Sequence, residues 1–230
     1  MKWSNKITDE VSFKEIKNEE EKLRIAKIIA GKVKDGDVIG FGSGSTSYLA
    51  VKEIGKRIAK EGIKIHAIPT SYEIKMLCAK LNIPTTSLIE NKPDWSFDGA
   101  DEVDKNNWLI KGRGAAMFKE KLNVANSKIT YILADKSKMV ERLGENFTIP
   151  VECYPKSVNY VANELEDLGA TEIKIRQAVK KDGPVITENN NLILEVKFNE
   201  IYETLEKDIK SITGVIDSGL FIGYNIEIIN

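Results

Sequence analysis

Residues 38–46 read Val38-Ile39-Gly40-Phe41-Gly42-Ser43-Gly44-Ser45-Thr46, and this stretch decides the fold. The first four residues are a short apolar run of the kind that forms a strand buried on both faces. The next five make a turn of small residues, and Leu49, Ile54 and Ile58 follow at helical spacing. A strand, a glycine-rich turn and a helix in that order aim backbone N–H groups and a helix N-terminus at an anion, and the small side chains let the anion come close. Two familiar loops are excluded. A Walker loop needs a lysine that this turn lacks, and a dinucleotide fingerprint would need glycine at position 45 and an acid ending the next strand, which instead runs into Pro69-Thr70-Ser71. A phosphate site is expected in preference to a nicotinamide or ATP site.

Working outward, residues 18–34 carry Leu23, Ala26, Ile29 or Ala30, and Val33 on one helical face, with acids crowding the first turn as the helix dipole favours. After the strand at 63–68, Ser71 is placed to cap a helix over 72–81, and 85–89 gives a further short run. Alternating β and α segments imply a parallel sheet covered by helices, with ligands outside the carboxyl ends of its strands. Further on, 128–133 is another apolar strand, and Lys138 lies just past its end, where composition alone favours a surface lysine.

Near residue 150 the pattern changes. Strand 151–154, helix 157–168 with Val158, Val161, Ala162 and Leu165 inward, strands 172–179 and 192–198, helix 200–209 and strand 213–220 suit a ferredoxin-like unit. The expected architecture is therefore α/β, a Rossmann-like, mostly parallel sheet flanked by helices with a smaller ferredoxin-like α+β domain. Residues 1–149 and 218–230 are assigned to the first domain and 150–217 to the second.

Composition narrows the function classes. The 34 basic and 35 acidic residues leave a formal charge of −1, so no global field points to nucleic acid or to an anionic membrane. No apolar window is long enough to span a bilayer and residues 1–21 hold no signal-like core, which argues for the cytoplasm. The two cysteines, Cys78 and Cys153, are far apart and read as free buried thiols in a reducing compartment. A single histidine, His66, excludes a multi-histidine metal site and is expected to be structural.

The chemistry gathers in residues 94–120, DWSFDGADEVDKNNWLIKGRGAAMFKE. Acids (Asp98, Asp101) sit at the end of one strand, Lys111 ends a second, and Gly112-Arg113-Gly114 opens a helix. On that helix Ala115, Phe118, Leu122 and Ala125 share one face and form the expected core stripe. Glu120 falls nearly opposite, between Lys119 and Lys121, where a solvated glutamate is the default. Its neighbours at helical spacing are nonetheless small or apolar.

The segment order together with GFGSGST, SFDGADEV, IKGRGAAMFKEK and ILADKSK resembles ribose-5-phosphate isomerase of the A type, over most of the chain. The resemblance implies an aldose–ketose isomerase of the non-oxidative pentose phosphate pathway that interconverts D-ribose 5-phosphate and D-ribulose 5-phosphate, needs no metal or cofactor, and forms homodimers or homotetramers. It implies substrate loops at Ser43-Gly44-Ser45-Thr46, Asp98-Gly99-Ala100-Asp101 and Lys111-Gly112-Arg113-Gly114, a general base at Glu120 and a binding lysine at Lys138. Chemically, Glu120 would shuttle the carbon-bound proton, Lys111 would meet the oxyanion, and Asp98 would serve ring opening. Two positions depart from the pattern. Serine replaces the usual threonine at 43, and Arg113 replaces the middle of three glycines, a strained choice if that position needs a left-handed backbone. The competing classes are a non-catalytic sugar-phosphate sensor, which would normally carry a DNA-binding helix-turn-helix that is not seen, and another sugar-phosphate isomerase or deaminase.

Overall fold

Phe41 stands level with Pro69 on one neighbouring strand and with Phe97 on the other, so three strands end side by side. The computed structural model that shows this describes residues 15–230; the segment read above as lacking a signal-like core lies mostly outside them. The strands concerned are β1 (Val38–Phe41), β2 (His66–Pro69) and β3 (Trp95–Gly99). With β6 (Thr130–Leu133) and β12 (Ile226–Ile229) they form a five-stranded sheet in the order β12-β6-β3-β1-β2, every pair parallel. Its helices are α1 (Glu19–Lys32), α2 (Gly44–Glu61), α3 (Tyr72–Lys80) and α4 (Met117–Asn126).

The chain divides into two compact units. One contains the described residues up to Gly99, Lys119–Ser137 and Asn225–Asn230; the other contains Ala100–Phe118 and Lys138–Tyr224. In the first unit Ile25, Ile29, Ile39, Phe41, Ile54, Ala67, Leu77 and Phe97 belong to one buried cluster. These apolar runs become strands because both faces of the sheet are covered, which is why they lack polar alternation. Ser71 caps α3 by accepting the Ile74 N–H at 3.3 Å, as its position predicts. At the other end of α1, the Arg57 guanidinium donates to the carbonyls of Ala30 and Val33, both at 2.7 Å, and so satisfies acceptors the helix leaves over.

The second unit holds β7 (Ile149–Cys153), α5 (Val158–Asp167), β8 (Ala170–Ile175), β9 (Leu192–Phe198), α6 (Leu205–Ser211) and β10 (Val215–Ser218). Their antiparallel sheet runs β10-β7-β9-β8. In chain order that is strand four, one, three, two of a βαββαβ unit, the ferredoxin-like arrangement expected from the sequence. Ile149, Val151 and Cys153 point alternately to the buried face against Val161 and Leu165 of α5. A separate three-stranded sheet joins β4 (Glu102–Val103), β5 (Leu109–Ile110) and β11 (Leu220–Phe221).

Several segments differ from expectation, among them the 200–209 helix, which starts only at Leu205, and the short strand Glu102–Val103. Residues 85–89 form no strand: Thr85 makes one bridge to Ala67 and the chain then turns, with the Glu90 carboxylate accepting the Ser87 N–H at 2.9 Å. Strand β12 was not foreseen, although its parallel pairing with β6 supplies a sheet edge. The 172–179 strand stops at Ile175, and Arg176 uses its side chain elsewhere. Both cysteines are free and buried. Burial pushes the Cys78 thiol up to about 12, and burial with the neighbouring Glu152 charge pushes Cys153 up to about 11. His66 is exposed at the start of β2.

Candidate active site

In the first unit the glycine turn is built around Asp98. Gly42 donates its N–H to the Phe97 carbonyl at 2.8 Å and lies so close to Asp98 that a Cβ there would sit 2.2 Å from the carboxylate carbon. Only glycine fits. Asp98 is 3% exposed, and its Oδ1 accepts the N–H groups of Ser43 (3.1 Å) and Gly99 (2.7 Å). A buried carboxylate therefore locks the loop that starts α2 to the end of β3, which explains why SGST and DGAD occur as a set.

Ser43 is the N-cap of α2, but its side chain makes no capping bond. Its hydroxyl pairs instead with Thr70 Oγ1 at 2.6 Å, and Thr70 in turn donates to the Phe41 carbonyl at 3.0 Å. The first turn of α2 contains no acid. Gly44, Ser45 and Thr46 thus begin a long helix with no acid in its first turn and no capping bond from the Ser43 side chain, while the Asp98 carboxylate holds the N–H of Ser43 just before it. Lys22 of α1 brings an ammonium there: it is 9% exposed and its Nζ donates to Ser45 Oγ at 3.2 Å.

Glu120 lies in the first turn of α4 and is 4% exposed. The solvated-face reading is therefore overturned, and so is the expected core stripe. Met117, Glu120, Lys121, Asn123 and Val124 are buried, whereas Leu122 is 37% exposed and Ala125 faces solvent. The inversion has a visible cause at Asn123, whose Nδ2 donates to the Ile68 carbonyl at 2.8 Å. Gly40 leaves the space for it, since a Cβ there would come within 3.0 Å of the amide. Asn123 thus joins Met117 and Val124 on the buried face with its amide satisfied, so burying it leaves no unmet donor.

In the second unit Asp101 and the lysine loop are joined. Asp101 Oδ2 accepts the Arg113 N–H at 3.1 Å. The Lys111 N–H donates to the Gly219 carbonyl at 2.9 Å, its side chain is 2% exposed, and its Nζ lies 5.6 Å from the centre of the Phe221 ring. Gly112 has φ +101°, and a Cβ there would press on Met117 and Pro150 at 2.9 and 3.0 Å. The left-handed positions of the loop are Gly112 and Ala115, not 113. Arg113 therefore sits without backbone strain, with its side chain exposed. Lys138 closes a short helical turn after β6, is half-buried, and holds its Nζ 5.4 Å from the Phe147 ring centre. The loop beneath that ring is tied by buried Glu102, which accepts N–H groups of Gly144, Asn146 and Phe147 at 2.6, 2.6 and 3.1 Å.

The structure thus joins Asp98 and Gly99 to the SGST loop, and Asp101 to the loop of Lys111–Gly114. Sequence reasoning missed Lys22, Thr70 and Glu102. Lys22 stands behind three consecutive acids and looks like a solvated charge, so only its contact to Ser45 reveals it. Among the described residues no group of three or more His, Cys, Asp or Glu side chains converges as a metal-binding set, and no helix is long and apolar enough to cross a membrane.

Residues 66–230 match the model of the family described as ribose 5-phosphate isomerase A (phosphoriboisomerase A). Ribose-5-phosphate isomerase A of Methanocaldococcus jannaschii is 44% identical over 206 residues, covering 89% of this chain and 91% of that protein. The solved structure of the M. jannaschii isomerase superimposes with a TM-score of 0.89 at 42% identity, over 93% of this chain and 96% of that one. A D-ribose-5-phosphate isomerase solved in complex with phospho-erythronic acid gives 0.88 at 36% identity, with the same coverages. With two such matches across nearly its whole length, this chain belongs to the ribose 5-phosphate isomerase A family.

Proposed function

We propose that this protein interconverts D-ribose 5-phosphate and D-ribulose 5-phosphate through an ene-diolate, with Glu120 carrying the proton between C1 and C2. The observation that carries the assignment is the burial of Glu120 on a helix whose hydropathy would have left it outside. Burying a carboxylate in place of Leu122 costs stability, and such costs are retained where a charge does chemistry.

Isomerisation lifts a proton from the carbon beside a carbonyl and returns it one carbon along. Glu120 takes the C2 proton of the open-chain aldose and delivers it to C1, while the oxygen-bound proton moves from O2 to O1. Lys111 and the Gly114 N–H meet the negative charge that develops on the carbonyl oxygen, the Arg113 N–H being taken by Asp101. Asp98, with Oδ1 held by two backbone N–H groups, is the acid/base toward the sugar ring oxygen and hydroxyls, and Asp101 orients hydroxyls. The Ser43–Thr46 loop with Lys22 binds the phosphate, supported by the Lys22 ammonium on Ser45 and the absence of an acid in the first turn of α2. Gly99, Ala100 and Lys138 complete the contacts to substrate. The reading extends to a homodimer or homotetramer in the cytoplasm; a monomer mass by light scattering would overturn the former.

A direct assay of ribose 5-phosphate conversion, with and without EDTA, tests the activity. Turnover unchanged by the chelator is expected, whereas binding without turnover would favour the sensor and loss with EDTA a metal-dependent enzyme. Lys22→Met is expected to raise KM by roughly tenfold with kcat nearly kept, the signature of ground-state phosphate binding. A selective fall in kcat would remove Lys22 from that role.

A further inference from the structure

We propose that Arg176, which follows β8 of the ferredoxin-like sheet, is a positioning residue that aims the N–H donors of the lysine loop. The proposal rests on the reading above, in which that loop meets the oxyanion. Arg176 Nη1 donates to the carbonyls of Gly112 (2.9 Å) and Arg113 (3.2 Å). Peptide bonds here are trans, so each carbonyl and the N–H of the following residue point in opposite directions. Fixing those two carbonyls on the guanidinium therefore turns the N–H groups of Arg113 and Gly114 away from it. The first of these is seen to be so directed, because Asp101 Oδ2 receives it, which leaves the Gly114 N–H as the donor for the oxyanion. The second, on Gly114, is turned away from the guanidinium by the same trans geometry. A carbonyl already engaged by a cation also polarises its own peptide, making the N–H a better donor.

The guanidinium is itself held. Its Nε pairs with Glu195 Oε1 on β9, and the other carboxylate oxygen accepts from Thr148. Only a planar fork reaches a carboxylate and two carbonyls from one rigid group, so lysine is no substitute. The loop is fixed at its other end by the bond from Lys111 N–H to the Gly219 carbonyl. The small domain thereby preorganises donors, the condition under which they stabilise developing charge without reorganising. Nothing in this scheme requires Arg176 to touch substrate.

The test compares Arg176→Met and Arg176→Lys with the parent in kcat, KM for ribose 5-phosphate, and inhibition by phospho-erythronic acid, whose carboxylate stands in for the ene-diolate charge. Both variants are expected to lose kcat by roughly 10- to 100-fold with KM within about threefold, and to bind the inhibitor more weakly by a similar factor. Should Arg176→Met fail to fold, Glu195→Gln, which loosens the guanidinium without removing it, is expected to show the same split at smaller size. Parent kcat, or a loss confined to KM, or unchanged inhibitor affinity beside a lowered kcat, overturns the proposal. Lys111→Ala run alongside separates the two levels. A large fall in kcat for Lys111→Ala with parent behaviour in both other variants rejects Arg176 alone, whereas parent kcat in Lys111→Ala rejects the reading on which it rests.

Discussion

Helices α4 and α5 are both ten residues long, yet they obey opposite rules. In α5 the apolar positions Val161 and Leu165 are fully buried and Val158 and Ala162 pack partly buried beside them, as the spacing predicts. In α4 the apolar Met117 and Val124 are buried, but Leu122 and Ala125 are exposed while Glu120, Lys121 and Asn123 are buried. Hydropathy reads the cost of putting a side chain in water, and for α5 that cost decides. For α4 it is outweighed by partners and chemistry that lie far away in sequence, such as the Ile68 carbonyl that receives Asn123. An amphipathic pattern contradicted by burial is what singles out α4 for the role proposed for Glu120, and a pattern obeyed leaves α5 a packing element.

The contrast can be broken most severely at Glu120. Glu120→Gln keeps the shape of the side chain but removes the base, and is expected to lower kcat by roughly 10² to 10⁴ with the fold intact. Parent turnover of ribose 5-phosphate would return Glu120 to a structural role. Lys111→Ala comes next, with about 3 kcal/mol of transition-state stabilisation lost. Leu165→Ala probes the opposite helix: it should cost about 2–5 kcal/mol in denaturant unfolding while the folded fraction keeps its kcat. A kcat that falls with stability held would erase the distinction between the helices. Asn123→Ala should cost about 1–3 kcal/mol by withdrawing a buried donor from the Ile68 carbonyl, and a neutral result would remove the stated cause of the inversion. The smallest effect belongs to Leu122→Ser, within about 0.5 kcal/mol because the side chain already meets water. A loss of several kcal/mol there would mean that Leu122 is covered in the functional assembly.

Much was legible beforehand. The strand and turn at 38–46, the helix cap at Ser71 and the βαββαβ order after residue 149 follow from local spacing and turn chemistry, and the structure has them. The pairing of SGST with DGAD was legible only as a resemblance; its physical basis is one carboxylate oxygen of Asp98 shared by two backbone N–H groups. Arg113 posed a conformational question that the sequence left open, and the backbone answers it by placing its left-handed residues at Gly112 and Ala115. Residues 85–89 misled because a short apolar run has the same appearance whether or not a neighbour accepts its hydrogen bonds.

The sequence by itself determined the layered α/β class, the ferredoxin-like βαββαβ order, the glycine turn that starts α2 and, through its ordered motifs, the family. These depend on periodicity, glycine and capping, which act over a few residues. Tertiary structure alone decided that Glu120 is buried, that Lys22 reaches Ser45, and that Arg176 grips the carbonyls of Gly112 and Arg113. Each is a polar contact between residues distant in the chain or a burial that hydropathy opposes. Only a closed fold determines where a charge is desolvated and which dipole it meets.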